Sequence, residues 1–409
     1  MLTIQPARQR RAGRGKVGIA LAGGGPLGAF YEMGSLHALG EAIVGRELTA
    51  LDVYVGVSSG SLIAAGLANG IDTTSMGRTF LYDRGTLAAF SPEMFLRPAI
   101  AEYVRRLARL PEVVAAAVRQ YARDPLASPW QTVLGALGRI APTAAFDNGP
   151  LEAYLHSSFS TGGHTDDFRK LAARLYVVAT RLSTGESVVF GGPGNDRVPI
   201  SRAVVASAAL PGLYPAVEID GRHYVDGALI RTMHASLALE DGCDLVICIN
   251  PLVPFDASQS RGRSYSNLAD EGLPAILGQT FRALIHSRMQ VGMTSYRARF
   301  PRADTLLLEP DRHDETLFFT NVFRYSGRQR LADHAYRQTR RDLLAQADTL
   351  APLLERHGLR LDLKVLRDRR RRFSTAMTER AKHTRRTCRR LDQSLSRLAR
   401  LVQSGSSPR

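Results

Sequence analysis

A three-layer α/β/α fold with a mainly parallel central sheet, a helical insertion and a C-terminal helical extension is predicted by two features of this 409-residue chain. Short apolar runs rich in β-branched residues alternate with segments whose apolar residues recur every three or four positions. Such alternation calls for parallel strands, because parallel neighbours need crossovers and the crossover helices cover the sheet. In addition, two of the strand-to-helix junctions, at 23–28 and 56–60, are abrupt and rich in glycine.

Taken in order, residues 1–15 read as a flexible basic arm. KVGIALA at 16–22 is a buried strand, followed by Gly23-Gly24-Gly25-Pro26-Leu27-Gly28. A helix is predicted over 29–42, with Phe30, Met33, Leu36 and Leu39 on one face. The second strand is placed at 51–55 and the second helix at 61–69. From 86 to 142 the pattern becomes amphipathic helix broken by Pro111, Pro125, Pro129 and Pro142, with the single tryptophan, Trp130; this is the helical insertion. Strands return at 175–179 and 187–190, and a small-residue helix spans 200–210. Asp220-Gly221 between two short apolar runs suits a type I′ hairpin, whose second arm ends in Asp226-Gly227. A buried strand at 245–249, a polar loop at 257–275, a long helix at 276–297, a strand at 304–308 and helix from 325 to 354 complete the body. Gly358 marks the boundary of a tail. The domain reading is therefore an arm (1–15), a catalytic domain (16–255), a helical extension packed on it (256–357) and an Arg-rich tail (358–409).

The net charge of +16 is concentrated at the ends. Residues 1–16 carry five basic and no acidic side chains, and 359–409 carry 16 basic and four acidic ones. The stretch between is nearly neutral, with 33 basic and 34 acidic residues, so a body-wide nucleic-acid surface is not expected. Cys243, Cys248 and Cys388 form neither a metal spacing nor a disulfide framework, which suits a reducing compartment. No apolar run reaches the ~20 residues of a membrane span, and the basic N-terminus is followed by too few apolar residues for a secretory signal. The expected location is cytoplasmic, with peripheral contact at a membrane.

The stretch LDVYVGVSSGSLIAAGLAN contains G-x-S-x-G between a strand and a helix. With 36 glycines in the chain the pattern alone says little, but in this context it is a nucleophile elbow. Ser58 is then the candidate nucleophile, with Gly56 and Gly60 as the small neighbours the turn demands. The glycines at 23–28 admit two readings. As G-x-G-x-x-G they could bind a dinucleotide, but the second strand lacks a terminal acid for the ribose; Asp52 lies at its start. Alternatively, their amides hold the oxyanion of an acyl-transfer intermediate; Pro26 contributes no donor, so the donors are expected from Gly23 to Gly25, with Leu27 as a further candidate. A base for Ser58 can be a histidine, with His223 and His234 flanking Asp226, or Asp226 itself. An Asp-Gly pair can equally mark only a turn.

GGGPLG after a strand, then GVSSG, then ASAALPGLYPAV running to YVDGAL, with FDNGPL at 146–151, resembles the patatin-like phospholipase family over roughly residues 16–255. The resemblance implies a Ser–Asp dyad without histidine: Ser58 as nucleophile, Asp226 with Gly227 as the base motif, and Gly23, Gly24, Gly25 and Gly28 as the oxyanion motif. It implies a lipid acyl hydrolase of phospholipase A type acting on phospholipid or another lipid ester, with no cofactor and no metal. The runner-up functions are a general carboxylesterase or thioesterase, or a weakly active membrane- or nucleic-acid-associated scaffold. Where the family usually carries Arg or Lys in its glycine motif, this chain has Leu27. In the tail, Cys388, Leu391, Leu395, Leu398 and Val402 follow a 3-4-3-4 spacing among arginines. That seam reads as an amphipathic helix on an anionic membrane surface, ahead of a coiled coil or a nucleic-acid tail.

Overall fold

The computed structural model describes residues 1–9, 15–82, 97–108, 110–123, 143–230, 232–259, 268–320 and 324–375. Trp130, three of the four insertion prolines (Pro125, Pro129 and Pro142), and the Arg-rich seam with Cys388 lie outside them.

The strands are β1 (Leu2–Gln5), β2 (Lys16–Leu21), β3 (Ile43–Val44), β4 (Val53–Val57), β5 (Arg174–Arg181), β6 (Ser187–Phe190), β7 (Val217–Ile219), β8 (Arg222–Asp226), β9 (Cys243–Ile249), β10 (Asp304–Leu308) and β11 (Arg360–Leu361). Nine of them form one sheet in the order β1-β10-β9-β2-β4-β5-β8-β7, with β6 also paired to β5. The centre, β10-β9-β2-β4-β5, is parallel throughout, and the antiparallel pairings sit at its margins. The helices are α1 (Gly25–Ala42), α2 (Ser59–Ala68), α3 (Thr73–Tyr82), α4 (Ile100–Ala108), α5 (Leu110–Arg123), α6 (Gly149–Phe159), α7 (Ile200–Ser207), α8 (Ala235–Glu240), α9 (Leu273–Arg299), α10 (Glu315–Phe319), α11 (Tyr325–Ala345), α12 (Ala347–Arg356) and α13 (Leu363–Arg367).

Strand side chains alternate between two cores, as the period of two requires. Ile19, Leu21, Tyr54, Val177, Ile247 and Leu306 face α1, α2, α7 and α11. Ala20, Val53, Val55, Val246 and Leu307 face α8 and the Met289–Met293–Tyr296 side of α9. The expected three-layer α/β/α architecture is what the chain adopts.

Several boundaries differ from the sequence reading for identifiable reasons. The helix expected from 29 begins at Gly25, because Pro26 in its first turn needs no N–H partner there. The second strand runs from Val53 to Val57, two residues later than expected at each end, and the Asp52 side chain just before it binds Arg46 and the Val17 amide. The serine of the elbow therefore follows the strand's last residue directly. Pro111 opens α5 rather than breaking a helix. The expected helix over 325–354 divides at Gln346.

The ends are also more integrated than an arm and a tail. Leu2–Gln5 adds an antiparallel edge strand to β10. Beyond Gly358, β11 pairs with β3, and Leu359, Leu366 and Phe373 are buried. The 256–357 segment supplies β10 to the sheet, and α11 packs on α1 so closely that a Cβ at Gly34 would lie 2.2 Å from the Ala332 carbonyl oxygen. The packed body thus extends to Phe373.

Candidate active site

Strand β5 uses one edge twice. Residues 174–178 of that edge pair with β4, placing Val57 opposite Val178. Past the end of β4 the same edge is taken up by β8, which places Asp226 opposite Ala179. The other edge holds β6. Ser58, one residue past Val57, and Asp226 are thereby set beside one another, although 168 positions separate them. The Ser58 Oγ–H donates to Asp226 Oδ2 at 2.6 Å.

Ser58 sits at φ 52°, ψ −126°, a backbone conformation that costs a non-glycine residue about 1–3 kcal/mol. Its surroundings hold it there. The Ser58 amide donates to Ser207 Oγ at 2.8 Å, and Ser207 donates in turn to the Val178 carbonyl at 2.6 Å. The Ser58 carbonyl accepts from both the amide and the hydroxyl of Ser61, at 2.9 and 2.6 Å. The motif glycines are required by close backbone approach. A Cβ at Gly56 would lie 2.4 Å from Ser61 Cα, and one at Gly60 would lie 2.5 Å from the Ala22 carbonyl oxygen. At Gly227 it would meet the Val178 carbonyl oxygen at 2.2 Å.

The Asp226 carboxylate has two partners, Ser58 through Oδ2 and the Ala228 amide through Oδ1 at 2.8 Å. Ser58 and Asp226 are only 6% and 3% exposed. Burial pushes the Asp226 carboxyl up to about 6, against the opposing pull of its hydrogen bonds from Ser58 and Ala228. No histidine hydrogen-bonds to either side chain among the described residues. His223, three residues before Asp226, points to Glu218 at 3.9 Å instead.

The glycine loop lies against the serine: a Cβ at Gly23 would be 3.0 Å from Ser58 Cβ. The four glycines are not equivalent as donors. The Gly28 amide closes the first turn of α1 on the Gly24 carbonyl at 3.0 Å, and the Gly23 amide faces the Thr232 carbonyl at 3.3 Å. Gly28 is thus the motif's close-packing position, where a Cβ would lie 2.9 Å from Pro251 Cγ. The amides of Gly24 and Gly25 make no hydrogen bond within the described residues, and together with Leu27 they form the open, electropositive start of α1. Ser59 offers a further amide at the start of α2. Leu27 packs its side chain against the core. Asp52, the acid nearest the second strand in the dinucleotide reading, is held by Arg46 at 2.5 and 2.9 Å. Ser207 was the residue sequence reasoning missed; it stood in the ASAALPG stretch as one small residue among others.

A strained serine bonded to a buried carboxylate at the end of a parallel sheet, beside two helix N-termini, defines the class: an α/β protein with a serine–carboxylate site. The family follows from comparison with known proteins. The model described as patatin-like phospholipase matches residues 19–239, and the chain belongs to that family. Solved structures similar to it include VipD from Legionella pneumophila, at 16% identity and a TM-score of 0.31, covering 66% of this chain and 55% of that one. The type III effector protein ExoU matches at 16% identity and a TM-score of 0.27, covering 86% and 69%. Human GIVD cytosolic phospholipase A2 matches at 16% identity and a TM-score of 0.25, covering 64% and 44%.

Proposed function

We propose that this chain is a serine-dependent lipid acyl hydrolase of phospholipase A type, working through a Ser58–Asp226 dyad. The observation that carries the reading is the 2.6 Å hydrogen bond from Ser58 to a buried carboxylate at a strained elbow. Asp226 Oδ2 takes the Ser58 proton as Oγ bonds to the ester carbonyl carbon. The amides of Gly24, Gly25 and Ser59 hold the oxyanion of the tetrahedral intermediate. As the intermediate collapses, the C–O bond to the leaving alcohol breaks and Asp226 returns the proton to that oxygen, leaving an acyl-serine. A water then loses its proton to Asp226, attacks the acyl carbon, and the fatty acid leaves as Ser58 regains its proton. The carboxyl near pH 6 is better matched to accepting a proton at neutral pH than an ordinary aspartate.

The family and its lipid substrates favour a membrane-facing enzyme, and the Arg-rich tail from 376 onward is proposed as a contact with anionic lipid. Among the described residues no helix is long and apolar enough to cross a membrane.

Ser58→Ala and Asp226→Asn, each assayed on a soluble short-chain ester and on phospholipid vesicles, test the mechanism. Both are expected to lose hydrolysis of both substrates, and a fluorophosphonate is expected to label the wild-type chain but not Ser58→Ala. Hydrolysis at the wild-type rate in either variant removes that residue from the mechanism.

A further inference from the structure

Helix α9 is apolar on two faces. One carries Met289, Met293 and Tyr296 and is buried in the core beneath the sheet. The other carries Leu273, Ile276, Leu277, Phe281, Leu284 and Val291, which are between 42% and 71% exposed. At 100° per residue these six form a stripe on the side of the helix away from the buried three. Single exposed apolar residues are ordinary, but six along five turns of one helix are not.

The stripe belongs to the catalytic end of the molecule. Gln279 binds the backbone N–H and carbonyl of Phe255, in the segment that leaves the C-terminal end of β9. Arg288 donates to the carbonyls of Leu229 and Ile230, which follow Asp226 and Gly227. Nearer the other end of the sheet the exposed positions of α9 turn polar, with Thr294, Arg297 and Arg299. The charge on the helix has one sign: its 27 residues include Arg282, Arg288, Arg297 and Arg299 and no acidic residue.

We propose that this stripe is the surface by which the protein sits on an anionic phospholipid bilayer, with α9 from Leu273 to Val291 lying in the interface. Apolar side chains enter the acyl boundary while exposed Arg288 meets the headgroups, the arrangement of an interfacial helix. A second copy is the poorer occupant, since a two-fold contact would set one acid-free, cationic stripe against another. The inference rests on the lipid-hydrolase reading and deepens it, because it sets the bilayer beside Ser58.

The test uses the full chain carrying Ser58→Ala, so that binding is read without hydrolysis. Leu277→Glu with Phe281→Glu is expected to lower co-sedimentation with phosphatidylcholine/phosphatidylglycerol vesicles about tenfold. In the active background the same pair is expected to lower vesicle hydrolysis by a similar factor and leave the soluble short-chain ester rate unchanged. Phe281→Trp is expected to shift its emission to the blue on adding those vesicles, after subtraction of the Trp130 signal. Unchanged vesicle binding by the double variant overturns the proposal, as does a Phe281→Trp spectrum indifferent to vesicles. So does loss of a dimer by light scattering with vesicle binding intact, which assigns the stripe to a second copy. If the wild-type chain hydrolyses no lipid but the double variant still loses vesicle binding, the surface stands and the hydrolase reading falls.

Discussion

Replacing Asp226 by asparagine should lower activity by orders of magnitude and stabilise the fold, and the second effect has a pH dependence that isolates the cause. In the folded chain the carboxyl is raised from an ordinary 3.8 to about 6 by burial. A carboxyl raised in this way binds more protons folded than unfolded between those two values. Stability contributed by this group therefore falls as pH rises through that window and is level above it. Converting the difference at about 1.4 kcal/mol per pH unit gives a cost of about 3 kcal/mol at pH 8 and about 1 kcal/mol at pH 4.5. Asparagine has no such cost. Its Oδ1 can still accept from the Ala228 amide, and its Nδ2 can donate to Ser58 Oγ in place of the hydrogen bond that Oδ2 receives.

The measurement is the melting temperature of wild type and Asp226→Asn at both pH values. The stability difference should shift by about 2 kcal/mol in favour of the variant on going from pH 4.5 to pH 8. Ester hydrolysis measured alongside should fall about 10²- to 10⁴-fold in the variant. In the wild type, kcat/KM should drop about tenfold per pH unit below pH 6 as the base is protonated. A stability difference that does not move between the two pH values would refute the argument that Asp226 is a buried, desolvated base.

Ser207→Ala strands the Ser58 amide and the Val178 carbonyl in the core; it should destabilise by about 1–3 kcal/mol and lower kcat about 10- to 100-fold with little change in KM, read from steady-state kinetics on a soluble ester. Gly60→Ala pushes a Cβ against the Leu21 and Ala22 carbonyls at 2.6 and 2.5 Å and should cost at least about 2 kcal/mol, seen as a lowered denaturant midpoint. Cys243 and Cys248 are buried, and burial pushes both thiols up to about 12; peptide mapping after iodoacetamide should find them unlabelled in the native chain and labelled once it is unfolded.

Most of the sheet could be read from the chain because its central strands are apolar and uninterrupted. The 304–308 strand is legible for that reason, and the marginal Asp220-Gly221 hairpin through its turn, which has the positive φ at both central residues that type I′ demands. What local pattern hides is chain that becomes ordered only by long-range pairing. Leu2–Gln5 lies in a basic, polar stretch and becomes a strand because β10 offers it an edge. Residues 359–373, rich in arginine, read as the start of the Arg-rich tail, yet Leu359, Leu366 and Phe373 are buried and tie them to the body. The glycine loop was half legible: glycine content marked it, but which amides remain open depends on where α1 starts. Gly28 closes the first helical turn and only Gly24 and Gly25 are left over.

The meeting of Ser58 and Asp226 depends on a feature that neither motif carries. G-x-S-x-G fixes the backbone of Ser58, and Asp-Gly fixes the end of β8, but their meeting is decided by β5, which outlasts β4 by enough residues to accept β8 on the same edge. Ser207, reaching from the end of α7 to both Val178 and Ser58, ties the elbow to that shared strand. A one-residue slip of β8 along β5 would turn the Asp226 side chain to the opposite face of the sheet and leave the serine without an acceptor. The Thr180 hydroxyl, which donates to the Asp226 carbonyl at 3.1 Å, and the Asp226 amide, which donates to Ala209 at 3.0 Å, hold that register from both sides. The Ser58–Asp226 contact is thus a property of strand register first and of the two side chains second.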